Sequence, residues 1–393
     1  MSRALCSSAA LAACLIAPGV AMAQTETRVS ADVYATGGYS GNPFGGQGNK
    51  NTGSAYGTVG VKPRVELHSA RSVISAGGDV QVQHYVRRYS TVDSYSGYLD
   101  YAGTPSERLN TRARLSFDDG VIGSYNSFAT IDPTDPSVPT TGDDLSLFGS
   151  RDRRRSYHGQ AGATATLTAR DQLNVSFHGD VVRFKRLRTV GNYNGYGSTL
   201  GYMRQVSEHA QVGIQGSASL TDYTARGNTR VYSLQATGSF NLAASWTLKG
   251  AVGVSFLDDD MTSGTSKSLS GNLSLCRNVT RSSICVNVVK AVLPTAVSGT
   301  RDQTIADATY RYQLTEHSSI NARGSYTHAE RKGLGPAGRN EYFMGSVGYD
   351  RKVTERLNVS SSVFYRAIFG GTSTRGDDYG GQIGLTYRFG DPR

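Results

Sequence analysis

The sequence predicts an all-β protein, a transmembrane antiparallel β-barrel of about 18 strands. Two patterns support this prediction: apolar and polar residues alternate over long segments, and a short turn motif recurs along the chain. The composition agrees, since 47 of the 393 residues are Gly and 23 are Tyr, whereas only 18% are charged. The mean hydropathy of −0.37 excludes a bundle of membrane helices, which needs repeated apolar runs of about 20 residues.

The alternation has the period of a β-strand and continues for roughly 10 residues or more in each segment. Between positions 231 and 248, for example, Tyr232, Leu234 and Phe240 alternate with Ser233 and Gln235. One face of such a strand is apolar and the other is polar. Soluble strands usually have about 5–6 residues, so the length of these segments favours strands that cross a membrane.

A short polar turn recurs at intervals of 35 to 39 residues. Its copies begin at Leu167, Val206, Leu242, Val279, Leu314 and Val353, and two earlier turns lie at His68–Ser72 and Thr104–Glu107. Longer Gly-rich loops lie between them, as at Gly41–Ser54, Asp258–Lys267, Arg331–Asn340 and Gly370–Gly376. Eight turns and nine loops predict 18 strands between about Arg28 and Phe389, or 16 if the pair around 94–118 is wrong. Short periplasmic turns and longer extracellular loops are typical of outer-membrane barrels.

The first 23 residues have the features of a secretory signal peptide. A basic residue, Arg3, precedes an apolar stretch that ends in Ala21-Met22-Ala23. We therefore expect export through the Sec pathway, removal of residues 1–23, and a single barrel domain from 24 to 393. The expected location is the outer membrane of a Gram-negative cell. Only Cys276 and Cys285 then remain, in an oxidising compartment.

These two cysteines flank the turn at Thr280-Arg281 at equal distances, so a tight hairpin places them directly opposite each other. Both fall on the polar face of their strands. Cross-strand Cβ atoms at such positions are close enough for a disulfide after a modest adjustment. We predict a Cys276–Cys285 disulfide at the periplasmic end of one hairpin.

Aromatic residues near strand ends suit the two girdles of a membrane barrel. The candidates are Tyr193, Tyr196, Tyr310, Tyr312, Tyr342, Tyr349, Tyr365 and Tyr379. Ordinary β propensity is the alternative explanation. The last strand ends in Tyr387-Arg388-Phe389, which is similar to the final strand recognised by the barrel-assembly machinery, although four residues follow it.

If the apolar face contacts outer-membrane lipid, the polar face lines the lumen. Basic residues predicted there are Arg28, Lys62, Arg64, Arg108, Arg112, Arg114, Lys249, Arg311, Arg323, Arg366 and Arg388. The predicted acidic set is smaller and contains Asp32, Glu66, Asp79, Asp100, Asp180, Asp307 and Asp350. A basic excess lowers the barrier for anions in a pore. Alternatively, the basic residues pair with the acids and only hydrate the wall. The row Arg108, Arg112 and Arg114 on one strand is the most specific part of this pattern.

The segment Asp118–Ser156 is the longest predicted loop, and loops of this length usually have a function or are disordered. It contains Asp132, Asp135, Asp143 and Asp144, followed by Arg153, Arg154 and Arg155. It is a candidate constriction loop that folds into the pore. A solvated surface loop is the alternative.

The sequence carries no signature of an enzyme. The seven His residues are scattered without metal-ligand spacing, and neither a nucleophile elbow nor a phosphate or dinucleotide motif is present. We expect no catalytic residue, cofactor or metal site. A basic chain can bind nucleic acid, but an exported barrel has little occasion to meet it.

Three strand–turn segments carry a family resemblance: Tyr202-Met-Arg-Gln-Val-Ser-Glu-His, Tyr312-Gln-Leu-Thr-Glu-His and Tyr349-Asp-Arg-Lys-Val-Thr-Glu-Arg. They resemble the Tyr-x-Arg-x-Leu-Thr-Glu-Arg hairpins of outer-membrane β-barrel porins found with bacterial exopolysaccharide export systems. The resemblance implies a passive conduit for an exopolysaccharide or capsular polysaccharide. It also implies periplasmic export components as partners, and the basic lumen suits an anionic polysaccharide.

Two other functions remain open from the sequence. One is a general or anion-selective diffusion porin with the same fold, and the other is a structural or adhesive surface barrel with a blocked lumen.

Overall fold

The computed structural model describes residues 25–45, 52–122, 147, 150–186, 191–224, 227–260, 264–295, 299–331, 339–369 and 376–390. They form 18 strands: β1 (Glu26–Ser40), β2 (Ser54–His68), β3 (Ser72–Tyr85), β4 (Thr91–Ser106), β5 (Leu109–Val121), β6 (Arg153–Thr166), β7 (Asp171–Phe184), β8 (Tyr193–Ser207), β9 (Ala210–Tyr223), β10 (Asn228–Ala243), β11 (Trp246–Asp259), β12 (Ser266–Val279), β13 (Ser282–Thr295), β14 (Gly299–Thr315), β15 (Ser318–Arg331), β16 (Arg339–Lys352), β17 (Leu357–Phe369) and β18 (Asp378–Gly390). Within these ranges no helix is long and apolar enough to cross a membrane.

The strands form one closed antiparallel barrel, which confirms the predicted fold class and the count of 18. Each strand pairs with its neighbours in the chain, and β1 also pairs with β18 from Ser30↔Gly390 to Ser40↔Gly380. Because the sheet closes on itself, its backbone N–H and C=O groups are satisfied between strands without a free edge.

The two ends of the barrel differ as predicted. Eight short turns lie at one end, which we call the turn end, and nine connections lie at the other, the loop end. The segment around 94–118 forms the separate strands β4 and β5, so the 16-strand alternative is wrong. Two connections at the loop end depart from the prediction of longer loops, since only three residues separate β13 from β14 and four separate β9 from β10, no more than in the longest turns.

The outer face of the barrel is apolar along the middle of each strand. Large apolar side chains with roughly half of their surface exposed include Val59, Leu115, Phe177, Leu200, Ile214, Leu234, Val252, Leu269, Val347, Val363, Ile383 and Leu385. Aromatic residues lie on the same face nearer the strand ends, among them Tyr157, Tyr196, Tyr232, Tyr310, Tyr365, Tyr379 and Phe389. A lipid bilayer is the solvent that this surface requires.

Tyr193 and Tyr342 correct the predicted aromatic girdle because both are buried on the inner face. They belong to one apolar cluster with Phe184, although β7 and β16 lie on opposite sides of the barrel. Because one cluster includes residues from opposite walls, this face is the interior. An aromatic residue at a strand end fits either face, so strand position alone did not distinguish them.

Cys276 and Cys285 lie directly opposite each other in the β12–β13 ladder and form a disulfide. Ser274 and Asn287, the next pair of the same ladder on the same face, are both buried against the inner wall. The disulfide therefore lies on the inner wall near the turn end.

We predict that a charge on the outer face destabilises the barrel much more than the same charge on the inner face. Leu234→Arg places a guanidinium near the middle of β10, where lipid exposure costs about 2–4 kcal/mol. The adjacent inward residue provides the matched control, Ser233→Arg. Urea unfolding of both variants in phospholipid vesicles measures the difference, and equal losses would show that the outer face does not contact lipid.

Candidate functional site

The inner wall carries a row of ion pairs across β18, β1, β2 and β3. Arg388 donates to both oxygens of the Asp32 carboxylate at 2.7 and 2.9 Å. On β2, Lys62 lies 3.7 Å from the Asp79 carboxylate, and Arg64 pairs with Glu66. Most of the positive charge in this sector is therefore balanced locally.

These pairs line a recess of about 360 Å³ in the wall. A smaller recess of about 190 Å³ adjoins it, and Ser96 and Tyr98 contribute to both. Charged residues around the two recesses are Arg28, Asp32, Lys62, Arg64, Glu66, Asp79, Arg114, Asp118 and Arg388. The recesses contain both signs of charge, and water can enter them.

Two of the wall cations lie over tyrosine rings. The Lys62 ammonium is 4.8 Å from the centre of the Tyr34 ring, and the Arg114 guanidinium is 5.5 Å from that of Tyr98. A Cβ atom at Gly77 would come within 2.7 Å of the Tyr98 hydroxyl, so only glycine lets this ring lie flat on the wall. The two cations remain about half exposed, at 54% and 50%, and the tyrosine rings attract them weakly.

The structure changes the predicted row of three arginines. Arg112 and Arg114 lie on β5, and Arg114 approaches Asp100 at 3.5 Å. Arg108, in contrast, lies in the two-residue turn between β4 and β5 and is not a residue of the wall. The prediction failed because the strand begins at Leu109, one residue later than the alternation indicated.

The basic residues on the opposite side differ in their partners. Arg323 donates to Asp307, which is almost fully buried, at 2.8 and 2.9 Å. Lys249 and Arg311 are exposed, and no carboxylate among the described residues lies within 4 Å of either. Two unpaired cations therefore lie on this side together with the Asp350 carboxylate, which accepts a hydrogen bond from Asn321 and has no described cation within 4 Å.

Arg366 points inward but is buried rather than presented to a lumen. Its guanidinium donates to the Asp378 carboxylate at 2.5 Å and to the backbone carbonyls of Asn42 and Pro43. The same carboxylate accepts hydrogen bonds from the Ser40 hydroxyl and from the backbone N–H of Asn42, both at 2.7 Å. The prediction of an exposed pore-lining arginine is therefore corrected, because the chain between β1 and β2 covers it.

The segment 41–45 folds into the loop end of the barrel. Phe44 is 2% exposed and packs against the inward rings of Tyr56 and Tyr85 and against Tyr89. Its ring centre lies 5.0 Å from that of Tyr89 and 5.5 Å from that of Tyr85. Sequence reasoning missed this contact; the only available signal was an isolated Phe in a Gly-rich loop.

Arg153, Arg154 and Arg155 do not belong to the long loop, because they are the first residues of β6. Their side chains pair with carboxylates of the neighbouring strands: Arg153 with Asp93 and Asp119, Arg154 with Asp118, and Arg155 with Asp119. The run of basic residues suggested a loop, whereas the β5–β6 ladder brings acids from about 35 positions earlier in the chain opposite it.

The proposed constriction role of the long loop concerns residues that are mostly outside the described ranges, including Asp132, Asp135, Asp143 and Asp144. Two described residues of this connection, Ile122 and Leu147, are 1% and 3% exposed. Both belong to the inner cluster that contains Tyr193 and Tyr342. At Leu147, therefore, the connection reaches the interior.

One part of the inner wall carries no charge. In β8, β9 and β10, whose residues are all described, the inward positions hold Ser, Thr, Gln, Asn, Gly, Tyr, Val and Met. Gln215 donates to Gln235 at 2.7 Å, and Gln235 donates to Ser270 at 3.1 Å. The interior is thus divided into a charged sector and a neutral sector of amides and hydroxyls.

Within the described ranges, no group of three or more His, Cys, Asp or Glu side chains could hold a metal ion.

No family model and no curated protein matches the sequence. Solved structures of membrane barrels are similar in shape. Pseudomonas aeruginosa OccK2 (OpdF), in complex with glucuronate, has a TM-score of 0.48 and 10% identity, over 93% of this chain and 98% of that one. Acinetobacter baumannii OccAB3 has a TM-score of 0.45 and 11% identity, over 93% and 100%. The Pseudomonas aeruginosa siderophore receptor PirA has a TM-score of 0.44 and 9% identity, over 92% and 80%. At these values none of them transfers a substrate to this chain.

We predict that loss of one partner of the buried Arg366–Asp378 pair destabilises the protein strongly. Arg366→Gln leaves the Asp378 carboxylate buried without its cation, which costs about 3–5 kcal/mol. Arg28→Gln breaks the exposed pair with Glu26 and should cost about 0–1 kcal/mol. Urea unfolding followed by tryptophan fluorescence compares them, and similar losses would contradict the anchoring role of Arg366.

Proposed function

We propose that the protein is an outer-membrane pore through which small hydrophilic solutes diffuse, with a modest preference for anions. The turn end would face the periplasm and the loop end the outside, as in other single-chain barrels with short periplasmic turns. Insertion would involve the barrel-assembly machinery, with β18 as the strand it recognises.

The observation that carries this proposal is the exposure of charged side chains on the inside of a closed barrel. Lys62 and Arg114 remain about half exposed there, although the outer wall around them is apolar. Charged groups keep this exposure only in contact with water, since their transfer to an apolar interior is very costly. An 18-stranded barrel has room for such a water-filled lumen.

The anion preference rests on cations without acidic partners. The ion pairs at Asp32, Asp79 and Asp307 are close to neutral and add little selectivity. Lys249 and Arg311 instead present uncompensated charge among the described residues. Two such cations in a narrow lumen favour anions modestly.

Export of an anionic polysaccharide is the second candidate, together with periplasmic export components as partners. The family resemblance suggests it, and the neutral wall of Gln215, Gln235 and Ser270 suits a hydroxyl-rich chain. Small solutes take first place because Phe44 and Leu147 occupy the interior at the loop end, which favours narrow solutes. A structural or adhesive barrel is third, since water-exposed wall charges would then have no role.

The test is electrical recording from the purified protein in planar bilayers, combined with solute entry into liposomes. We expect stepwise openings, an anion preference in a salt gradient, and faster entry of monosaccharides than of dextrans. A protein that never opens would exclude the pore and leave the structural barrel. Equal passage of dextrans and monosaccharides would favour polysaccharide export.

We predict that Lys249→Gln together with Arg311→Gln abolishes the anion preference while leaving the conductance steps present. Both substitutions remove uncompensated charge without disturbing an ion pair. Arg388→Gln with Asp32→Asn is the matched control, because it removes one cation and one anion at once. The zero-current potential in a potassium chloride gradient measures the effect, and an equal shift in both variants would contradict the assignment.

A further inference from the structure

The connection between β3 and β4, at the loop end, has an unusual backbone. Arg88 and Ser90 adopt positive φ angles of 68° and 53°, a region that residues other than glycine seldom occupy. Such a residue is strained and persists only where the surroundings determine its conformation. Strained backbone of this kind is concentrated at functional sites.

Tyr89 holds this turn in place. Its side chain is 9% exposed, its hydroxyl donates to the Thr52 carbonyl at 2.8 Å, and its ring packs on Phe44 and Tyr85. Within the turn, the Tyr89 amide donates to the Arg87 carbonyl at 2.9 Å. The buried ring anchors this connection, so the backbone of the two arginines beside it is held at a defined place at the loop end.

Arg151 reaches the same place from the connection between β5 and β6. It too has a positive φ, of 51°. Its guanidinium lies 5.2 Å from the Phe44 ring centre and 5.3 Å from that of Tyr89, and it donates to the Tyr89 carbonyl at 3.3 Å. Three connections of the loop end therefore meet at one aromatic cluster with a guanidinium lying on it.

Asp152 holds a fourth arginine, Arg186, at the rim of the barrel, that is, at its loop end. Its carboxylate is 2% exposed and accepts hydrogen bonds from the backbone amides of Arg153 and Arg186, at 2.8 Å and at 3.0 and 3.1 Å. Arg186, the second residue of the β7–β8 connection, is thus held beside Asp152, which follows Arg151 in the chain.

The four arginines Arg87, Arg88, Arg151 and Arg186 are exposed. In the part of the chain that the structure describes, none has a carboxylate within 4 Å, whereas the nearby Arg153 and Arg155 both pair with Asp119. Burial raises the pKa of the Tyr89 phenol, and the charges of Arg88 and Arg151 act in the opposite direction. The Arg151 guanidinium lies 5.3 Å from the centre of the same ring.

We propose that Arg87, Arg88, Arg151 and Arg186 form a capture site for free multivalent oxyanions, such as phosphate or sulfate esters, at the mouth of the barrel. Guanidinium groups bind such anions through charge-assisted and often bidentate hydrogen bonds. Because the Arg151 guanidinium already rests on two rings, little ordering of its side chain accompanies binding. The site faces the mouth rather than lipid, since Arg151 stacks on the cluster of inward Tyr56 and Tyr85.

A role in solute entry rests on the proposed pore function: anions concentrated at this rim would enter the lumen more often. Binding itself does not require an open lumen. The two ideas are therefore tested separately.

The binding test uses inorganic pyrophosphate and the full folded chain in detergent micelles, with calorimetric titration at low ionic strength. The triple variant Arg87→Gln, Arg88→Gln and Arg151→Gln should weaken binding by at least about tenfold, because several charge-assisted bonds are lost. The matched control removes three exposed arginines at the turn end, Arg170→Gln, Arg281→Gln and Arg356→Gln, and should bind like the unmodified protein. Equal weakening in both triples, or in neither, would overturn the proposal.

Because Arg151 also packs on aromatic rings, a second variant that leaves Arg151 unchanged separates a loss of binding from a loss of folding. Arg87→Gln with Arg186→Gln changes no described ring contact and should still weaken pyrophosphate binding several-fold. Unchanged binding in this folded variant overturns the four-arginine assignment.

Two further experiments distinguish which ligand occupies the site. Pyrophosphate binding is compared in nanodiscs made with a lipid whose headgroup ends in a phosphate group and in nanodiscs made with phosphatidylcholine. If only the first kind prevents pyrophosphate binding, the site belongs to a lipid headgroup and the proposal for a free solute fails. If pyrophosphate binds only after Asp132, Asp135, Asp143 and Asp144 are changed to Asn, the arginines serve that part of the chain, and the proposal also fails. A protein that binds pyrophosphate but never opens in bilayers would keep the capture site and exclude the pore.

Discussion

The backbone ladder that joins β1 to β18 is the constraint on which the other features depend. Eleven register pairs, from Ser30↔Gly390 to Ser40↔Gly380, close the sheet on itself. In hydrocarbon each unpaired backbone group would cost several kcal/mol, so an open sheet of this size could not be stable there. Closure also separates the two faces of every strand. One face contacts lipid and the other lines a common interior. This separation explains why apolar and polar residues alternate in the sequence.

The interior combines a polar wall with apolar contacts at one end. Ion pairs such as Arg388–Asp32 and Arg323–Asp307 keep the wall hydrated without a large net charge. At the loop end, Phe44 and Leu147 are buried in two separate clusters. The wall therefore sets the electrostatic character of the interior, whereas the connections between strands set its shape at the loop end. These two properties reside in different residues and can change independently.

The sequence predicted the fold well because its main signals are local. Period-two alternation depends on adjacent residues, and the recurrent motif marks six of the eight turns, so the strand count and the Cys276–Cys285 register followed directly. The failures concern contacts between distant positions. Arg153–Arg155 resembled a loop because their partners Asp118 and Asp119 lie about 35 residues earlier.

The candidate site was less predictable for the same reason. The period-two alternation placed Arg366 on the inner face, but no residue near it in the sequence indicates that Asn42 and Pro43 cover it. The inward position of Tyr193 and Tyr342 could not be predicted from the sequence, because it depends on the face of the strand end against which a connecting segment packs. The strained arginines of the rim carry no sequence signal, since backbone angles at Arg88 and Arg151 follow from the packing of Tyr89 and Phe44.

The hydrogen bonds of Asp378 connect residues that are far apart in the sequence and are therefore synthesised at different times. Ser40 and Asn42 leave the ribosome more than 330 positions before Asp378, and all three belong to the junction of the first and last strands. The backbone at Ser40 and Asn42, just before Phe44, is therefore held only where the first and last strands meet, whereas the Phe44 ring packs on residues from β2 to the β3–β4 connection. The inward course of this segment thus depends on closure of the barrel as well as on the rings beneath Phe44.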